Sequence, residues 1–556
     1  MKTRTIIVSV ACVALAAAAG ACSSSSPSHH WDAYDIAEWG DGRDGDPAGD
    51  EAYEPPDLRV CEPGERMCVG ESDYRICNVD GSGFDPGGSC EPGTTCLDGY
   101  CFSPCERAES ERSSIGCVYY AVDTNPFQSV VGGDYAVAVS NTDLANPANI
   151  VIESKEGGVW SPVMGGAFTL SPLSLRALVL PHRYIDGSAI YRGGAYRITS
   201  DLPIIAYQFN PLDGSHSYLS DASLLLPTSA LDAYHFVAAW PQGPADEYTP
   251  DGWPAHIQIA AAGSTNVTVT VAAQTTAGGE VPALYPGTPQ TFSLEEGDFL
   301  QLTIANHMNS FTGTYIESDG PVAVFSANDC VNVPAEQQYC CCEHLEEQIF
   351  GLQTWGKTYV ASRVPQRGSE PAVWQIIAHQ DGTVVSFDYD PSVTGLPPSV
   401  TLNRGQSMEY LVNGAGAQPG DFYISATGPV LVTQFIVGAF MVSYGSDNGD
   451  PSMVQAVPTD QYLDRYVVLV PNTWQTDYFV LTRPGGSEVR IDGTPVSAAW
   501  APVGSSPYEV GRVTVSDGVH VVDGDSPFGI IILGYDPYDS YAYPGGLNLQ
   551  VINPII

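Results

Sequence analysis

An all-β protein, built from tandem β-sandwich-like modules behind a small disulfide-rich segment, is what this sequence predicts, and three observations predict it. Short apolar and polar residues alternate, as where Val267, Val269 and Val271 are interleaved with Thr268 and Thr270, the period-2 signature of a half-buried strand. One pattern, a polar turn, a proline and an apolar strand, returns four times: Ser200-Asp201-Leu202-Pro203-Ile204, Ser318-Asp319-Gly320-Pro321-Val322, Thr427-Gly428-Pro429-Val430 and Asp525-Ser526-Pro527-Phe528. Eight cysteines are crowded between Cys61 and Cys117, ahead of the repeats.

The elements follow in order. Residues 1–21 carry Lys2 and Arg4, an apolar run from Ile6 to Ala19 and a small-residue ending before Cys22, the layout of a cleaved export signal. Cys22, followed by four serines, resembles the lipobox cysteine of bacterial lipoproteins, which implies lipidation of Cys22 and an outer-membrane lipoprotein facing the cell surface or the periplasm. Residues 22–60 are acidic and without hydrophobic period; they predict a disordered tether, holding the folded part on the order of 30 Å from the membrane. Residues 61–117, rich in Cys, Gly and Pro, bury too little apolar surface to fold without covalent staples and predict a disulfide knot. Four β modules then span 118–216, 217–335, 336–445 and 446–556. Proline lacks a backbone N–H, so each repeated proline is expected to begin a strand after a turn. Linkers also recur: Leu226-Pro227 through Tyr234 to Pro241, His344-Leu345 through Trp355 and Tyr359 to Pro365, and Met453 through Pro458 and Tyr466 to Pro471. Units of about 100 residues suit a sandwich; a propeller-like arrangement would share the periodic texture.

The chain of 556 residues has a formal net charge of −43. Such a surface repels phosphate backbones and excludes nucleic acid as a partner. In an oxidising compartment, Cys61, Cys68, Cys77, Cys90, Cys96, Cys101, Cys105 and Cys117, with Cys330, Cys340, Cys341 and Cys342, read as disulfide formers. Eight cysteines allow 105 connectivities, so no pairs are assigned within the first group. Cys330, Cys340 to Cys342 and His344 offer zinc donors, but at the wrong spacing for paired knuckles. Asp41, Asp44, Asp46 and Asp50 offer oxygens for calcium, without the spacing of an EF-hand loop. No metal or other cofactor is therefore implied. Asp523, Asp525, Asp536 and Asp539 read as turn formers.

Catalytic motifs are missing from the sequence: there is no Gly-x-Ser-x-Gly elbow, no His-Glu-x-x-His pair and no phosphate-cradling Gly-x-x-x-x-Gly-Lys. A glycosidase needs only two carboxylates, which keeps a polysaccharide-acting enzyme as an alternative; a purely structural envelope component is the other. Tyr535, Tyr538, Tyr541 and Tyr543 cluster near the C-terminus. Flat rings with hydroxyls suit protein or glycan recognition, and equally a packed terminal strand.

Three motifs in fixed order, Ser114-Ile115-Gly116-Cys117-Val118-Tyr119-Tyr120-Ala121-Val122-Asp123, the Ser-Asp-x-Pro repeats, and Cys330 to Cys342 followed by Glu343-His344-Leu345-Glu346-Glu347-Gln348, give a resemblance over residues 117–556. The chain resembles the IgGFc-binding protein N-terminal domain family, and most closely its secreted bacterial lipoprotein members. The family takes its name from a mucus protein that binds antibody Fc, and no catalytic or ligand residues define it. The resemblance implies a surface-displayed, adhesion-type binding protein, anchored in the membrane by lipid, with an unknown protein or glycan as its non-covalent ligand.

Overall fold

The computed structural model describes residues 59–124, 133–212, 219–243, 252–335, 342–443 and 445–555. The export signal, Cys22, nearly all of the tether, Asp41 to Asp50, and Cys340 and Cys341 lie outside the described residues.

The segment after Arg59 is stapled as its composition requires. Strands Arg66–Val69, Asp73–Cys77 and Phe84–Ser89 form one small sheet and Thr95–Leu97 pairs with Tyr100–Phe102. Disulfides Cys61–Cys77, Cys68–Cys96 and Cys90–Cys101 cross it. Helix Pro104–Glu111 follows, its N-terminus closed by a capping box between Ser103 and Glu106. Cys105–Cys117 then fastens this helix to the first strand of the first sandwich.

The rest is all-β, and the four repeats share one topology. Each has an opening strand (Gly116–Ala121, Asp232–Phe236, Thr358–Ala361, Leu463–Val470), a long strand and an inner strand. The long strands are Tyr196–Asn210, Tyr315–Val331, the pair Phe422–Ala426 and Val430–Ile436, and Gly518–Asp536. Within each, the front half pairs with the opening strand in one sheet and the back half with the inner strand in the facing sheet. One strand thus serves both layers of a sandwich, which requires a sharp bend between them.

The repeated proline supplies that bend. Pro203, Pro321 and Pro527 lie inside the long strands rather than at their starts, and in the third repeat Pro429 separates the two halves. The missing N–H falls where the chain leaves one ladder and has not joined the next, so no ladder bond is lost. The polar residue before the proline closes a neighbouring strand: Asp201 accepts from the backbone N and Nδ2 of Asn149, both at 2.7 Å. Asp319 does the same for Asn266, at 2.7 and 2.8 Å, and Thr427 Oγ1 accepts from Val384 N at 2.9 Å.

A tyrosine on the opening strand locks the bend. Its hydroxyl donates to the carbonyl just past the proline: Tyr119 to Ile204 at 2.5 Å, Tyr359 to Val430 at 2.5 Å, and Tyr466 to Phe528. In the second repeat His235, not Tyr234, occupies the equivalent place, buried and with Nδ1 unpartnered.

The inner strands Asp221–Leu225, Glu343–Gln348, Ser452–Gln455 and Asp539–Pro544 pair with the long strand before them, so each sandwich closes on a strand beyond or near the repeat boundary read from sequence. They also pack against one another, first to second, second to third, third to fourth and fourth to first. Four sandwiches therefore meet in a closed ring. Short 3₁₀ turns at Thr228–Ala230, Leu352–Thr354 and Thr459–Gln461 carry the chain from each to the next. Gly116 and Gly356 allow the same close approach at two of these joints, because a Cβ at either would lie 2.4 Å from Cβ of Pro227 or Pro458. The ends of the ring are joined by Ser114 N donating to Leu547 O at 3.0 Å and Leu547 N to Ser114 Oγ at 3.2 Å.

Removing one lock tests its contribution. Tyr359→Phe is expected to lower stability by about 1–3 kcal/mol, the cost of a buried hydroxyl bond with its acceptor left behind, measured as a shift of the urea midpoint without a change in slope.

Candidate functional site

The inner strands carry an unusual load. Glutamate has low β propensity and is normally found on exposed faces, yet Asp221, Glu343, Glu346, Glu347 and Asp539 are all 0% exposed, and Asp450, just ahead of the third inner strand, is 1%. Both faces of these strands are covered because each is flanked by its own sandwich and by its neighbours in the ring. Asp221, Glu343 and Asp539 each open an inner strand, opposite Asn210, Val331 and Asp536 on the long strands. Ser452 occupies the matching place in the third, opposite Ile436.

Asp221 is the junction. Its Oδ1 accepts from Ala222 N at 2.9 Å and Ser452 Oγ at 2.8 Å, and its Oδ2 from Glu346 N and Met453 N, both at 3.2 Å. One carboxylate from the first sandwich thereby bonds the inner strands of the second and third. Burial pushes Asp221 well above the usual carboxylate range, and the donors on both oxygens offset this only in part.

The carboxylates around it are less well served. Glu343 Oε1 accepts from Ser220 N at 2.5 Å and His344 N at 2.9 Å. Glu346 Oε2 accepts from Thr124 Oγ1 at 2.5 Å and Gln208 Nε2 at 3.0 Å. Glu347 Oε1 accepts from Gln455 Nε2 at 3.3 Å, and Asp450 Oδ1 from Ala439 N at 3.0 Å. The other oxygen of each of these four, and both oxygens of Asp539, have no hydrogen-bond partner. Burial pushes Glu343, Glu347 and Asp539 well above the usual carboxylate range, reinforced for Glu343 by Asp539 and Asp450 and for Asp539 by Asp536 and Asp450. Burial lifts Asp450 to about 7, against the opposing hydrogen bond from Ala439 N and the charge of Arg367. Among the described residues no three His, Cys, Asp or Glu side chains converge to hold a metal ion.

Among the described residues, grooves open at two seams of the ring. Between the first and second sandwiches, Lys155, Gly157, Gly158, Arg192, Gly193, Glu295 and Asp298 line a polar groove of about 440 Å³. Arg192 is held there by Asp298 at 2.8 Å and Glu280 at 3.0 Å. Between the fourth and first, an apolar groove of about 310 Å³ is lined by Ala138, Leu175, Phe209, Leu469 and Thr473 among others.

The residues singled out from sequence fall elsewhere. Tyr535, Tyr541 and Tyr543 are 4%, 0% and 0% exposed, and this corrects their reading as a presented binding cluster. Their hydroxyls donate inward, to Pro365 O at 3.0 Å, Asp477 Oδ1 at 2.7 Å and Leu469 O at 2.7 Å. Tyr543 also packs on Tyr207 with ring centroids 4.7 Å apart, joining the fourth sandwich to the first. Tyr538 sits half-buried in the turn before the last inner strand, at φ 57°. Asp539, read as a turn former, is part of the buried acidic group, and Asp536 lies opposite it, whereas Asp523 and Asp525 bind Arg490 at 2.8 and 2.9 Å. Cys330 is bonded to Cys342, so these sulfurs are not zinc donors. Sequence reasoning missed the acidic hub; its one visible signal was Glu343 to Gln348, an acidic stretch placed where a strand should be.

A class follows from this geometry: a disulfide-bearing, all-β, multi-module protein whose buried acidic side chains hold the modules together and whose loops and seams face outward. The sequence model of the IgGFc binding protein family matches residues 221–534, over half of the chain, and the protein belongs to that family. The match runs from the first inner strand to the end of the fourth long strand. No curated protein matches the chain.

The junction can be tested directly. Asp221→Asn places an amide nitrogen against N–H donors, and is expected to cost about 1–3 kcal/mol, with Asp221→Ala costing at least as much. Hydrogen exchange should show the loss at Glu343–Gln348 and Ser452–Gln455.

Proposed function

We propose that this chain is a secreted lipoprotein, anchored through Cys22, that displays the four-sandwich ring on the cell envelope as an adhesion-type binding protein for a protein or glycan. The observation that carries this reading is membership of a binding family over the ring itself. Further support comes from the layout of residues 1–22 and from five disulfides in the described residues, which suit an oxidising compartment.

The ligand seat best suited to such recognition is the polar groove between the first and second sandwiches. Arg192, Lys155, Glu295 and Asp298 put donors and acceptors of both signs into one open groove, and Gly157, Gly158 and Gly193 let a ligand approach the backbone. Hydroxyls and amides, the groups of glycans and peptide chains, pair with that mixture.

Two experiments test this. In a screen of the full chain, disulfides intact, against envelope glycans, mucin-type glycans and immunoglobulin Fc, with and without calcium, saturable binding to one class is expected, weakened roughly tenfold or more by Arg192→Ala. Absence of binding to every class sinks the proposal, and release of reducing ends, lost when two carboxylates are neutralised, replaces it by a hydrolase. Separately, labelling of cells with a lipid precursor should mark the wild-type chain and not Cys22→Ser.

A further inference from the structure

The acidic hub needs an explanation of its own, because it lies outside any surface a ligand could reach. Five carboxylates with unpartnered oxygens, Glu343, Glu346, Glu347, Asp450 and Asp539, surround a sixth, Asp221, which burial also pushes toward its neutral form in spite of its four donors. At low dielectric, like charges so placed repel strongly, and each also loses its hydration. The groups facing them give little relief. His344 Nε2 lies 3.0 Å from Thr124 Oγ1 and 3.9 Å from Glu346 Oε2. The Arg367 guanidinium is turned to the carbonyls of Asn448 and Val437 and to the ring of Tyr535. Asp536 adds to the negative charge at Asp539, as Asp477 does at Tyr541. Asp123, past His344, is paired with His182 at 3.1 Å. Burial favours the neutral form of a carboxyl, so the proton is the neutralising species these groups can themselves take up; among the described residues no three acidic, histidine or cysteine side chains converge on a metal-binding point. A protonated carboxyl also gains a donor for a neighbour's free oxygen.

We propose that Glu343, Asp450 and Asp539 form a proton-held latch on the ring: while they carry protons the four inner strands stay closed around Asp221, and losing those protons loosens the ring.

The sign follows from linkage. A carboxyl whose pKa is raised on folding holds more protons in the folded state, so its contribution is full below the unfolded value and falls as pH rises through the folded one. For Asp450 that window runs from the ordinary aspartate value of 3.8 to about 7, and Glu343 and Asp539 move the same way. Buried His235 and His256, depressed to about 4 and about 3, act oppositely, gaining stability as pH rises to the ordinary histidine value of 6.5. Above that value these two are silent; His182, raised by Asp123, and Asp477, lifted to about 7 by burial, still titrate there, so the hub is read from the difference between wild type and variants at Glu343 and Asp539.

The test is the melting temperature of the full chain between pH 6.5 and 9, with hydrogen exchange to locate the change. Wild type is expected to lose about 1 °C per pH unit for each proton released, with protection lost first at Glu343–Gln348 and Ser452–Gln455. Asp539→Asn with Glu343→Gln should flatten the slope and melt higher than wild type at pH 9. If the pair does not fold, Glu343→Gln alone and the exchange pattern of wild type decide. An equal slope in wild type and variant, or protection lost first away from the inner strands, overturns the latch. Recovery of the wild-type melting temperature at pH 9 on adding calcium also overturns it, in favour of a cation in the protons' place.

Discussion

Everything in the ring depends on one carboxylate being bonded from several sides at once. Asp221 takes donors from its own strand and from the inner strands of the second and third sandwiches, where a purely apolar contact would leave those strands free to slide. Hydrogen bonds to a buried carboxyl are directional and costly to break, so they fix register as well as distance. The aromatic seam of Tyr207, Phe209, Trp474, Tyr541 and Tyr543 does the complementary work between the fourth sandwich and the first.

The repeats differ in ways that follow from this geometry. Three use a tyrosine hydroxyl to hold the carbonyl past the bend, and the second has the shorter His235 at that place, buried and with Nδ1 unpartnered. The third breaks its long strand at Pro429, whereas the others remain continuous through the bend. Such variation is tolerated because the sandwich needs only a strand that changes layers. What each inner strand carries is less free, since it packs against the inner strands of two neighbouring sandwiches as well as its own core.

A ring of this kind separates two roles that small domains must combine. Its acidic groups at the centre hold the modules together, and its seams and loops are left to vary. The polar groove lies where strand Ala189–Tyr191, reached from the first sandwich, pairs with Phe299 to Gln301 of the second, so the groove walls belong to two modules whose relative position the ring sets. Preorganisation of that sort favours binding by lowering the ordering cost.

The sequence by itself determined much that depends on local chemistry. Alternation put Val267 and Val269 into the core, the crowded cysteines marked a stapled segment, and the proline signature located all four long strands, although it placed Pro203, Pro321 and Pro527 at strand starts rather than inside them. Those features rest on φ restriction, side-chain period and covalent bonding, which neighbours in sequence decide. Tertiary structure alone decided which strands meet in the ring, and therefore that Glu343, Glu347 and Asp539 are buried and Tyr535, Tyr541 and Tyr543 face inward. An acidic or aromatic residue on a strand reads the same whether its outer face meets water or another sandwich. Only closure of the ring, joining residues as distant as Asp221 and Met453, removes that water and turns ordinary carboxylates into the hub.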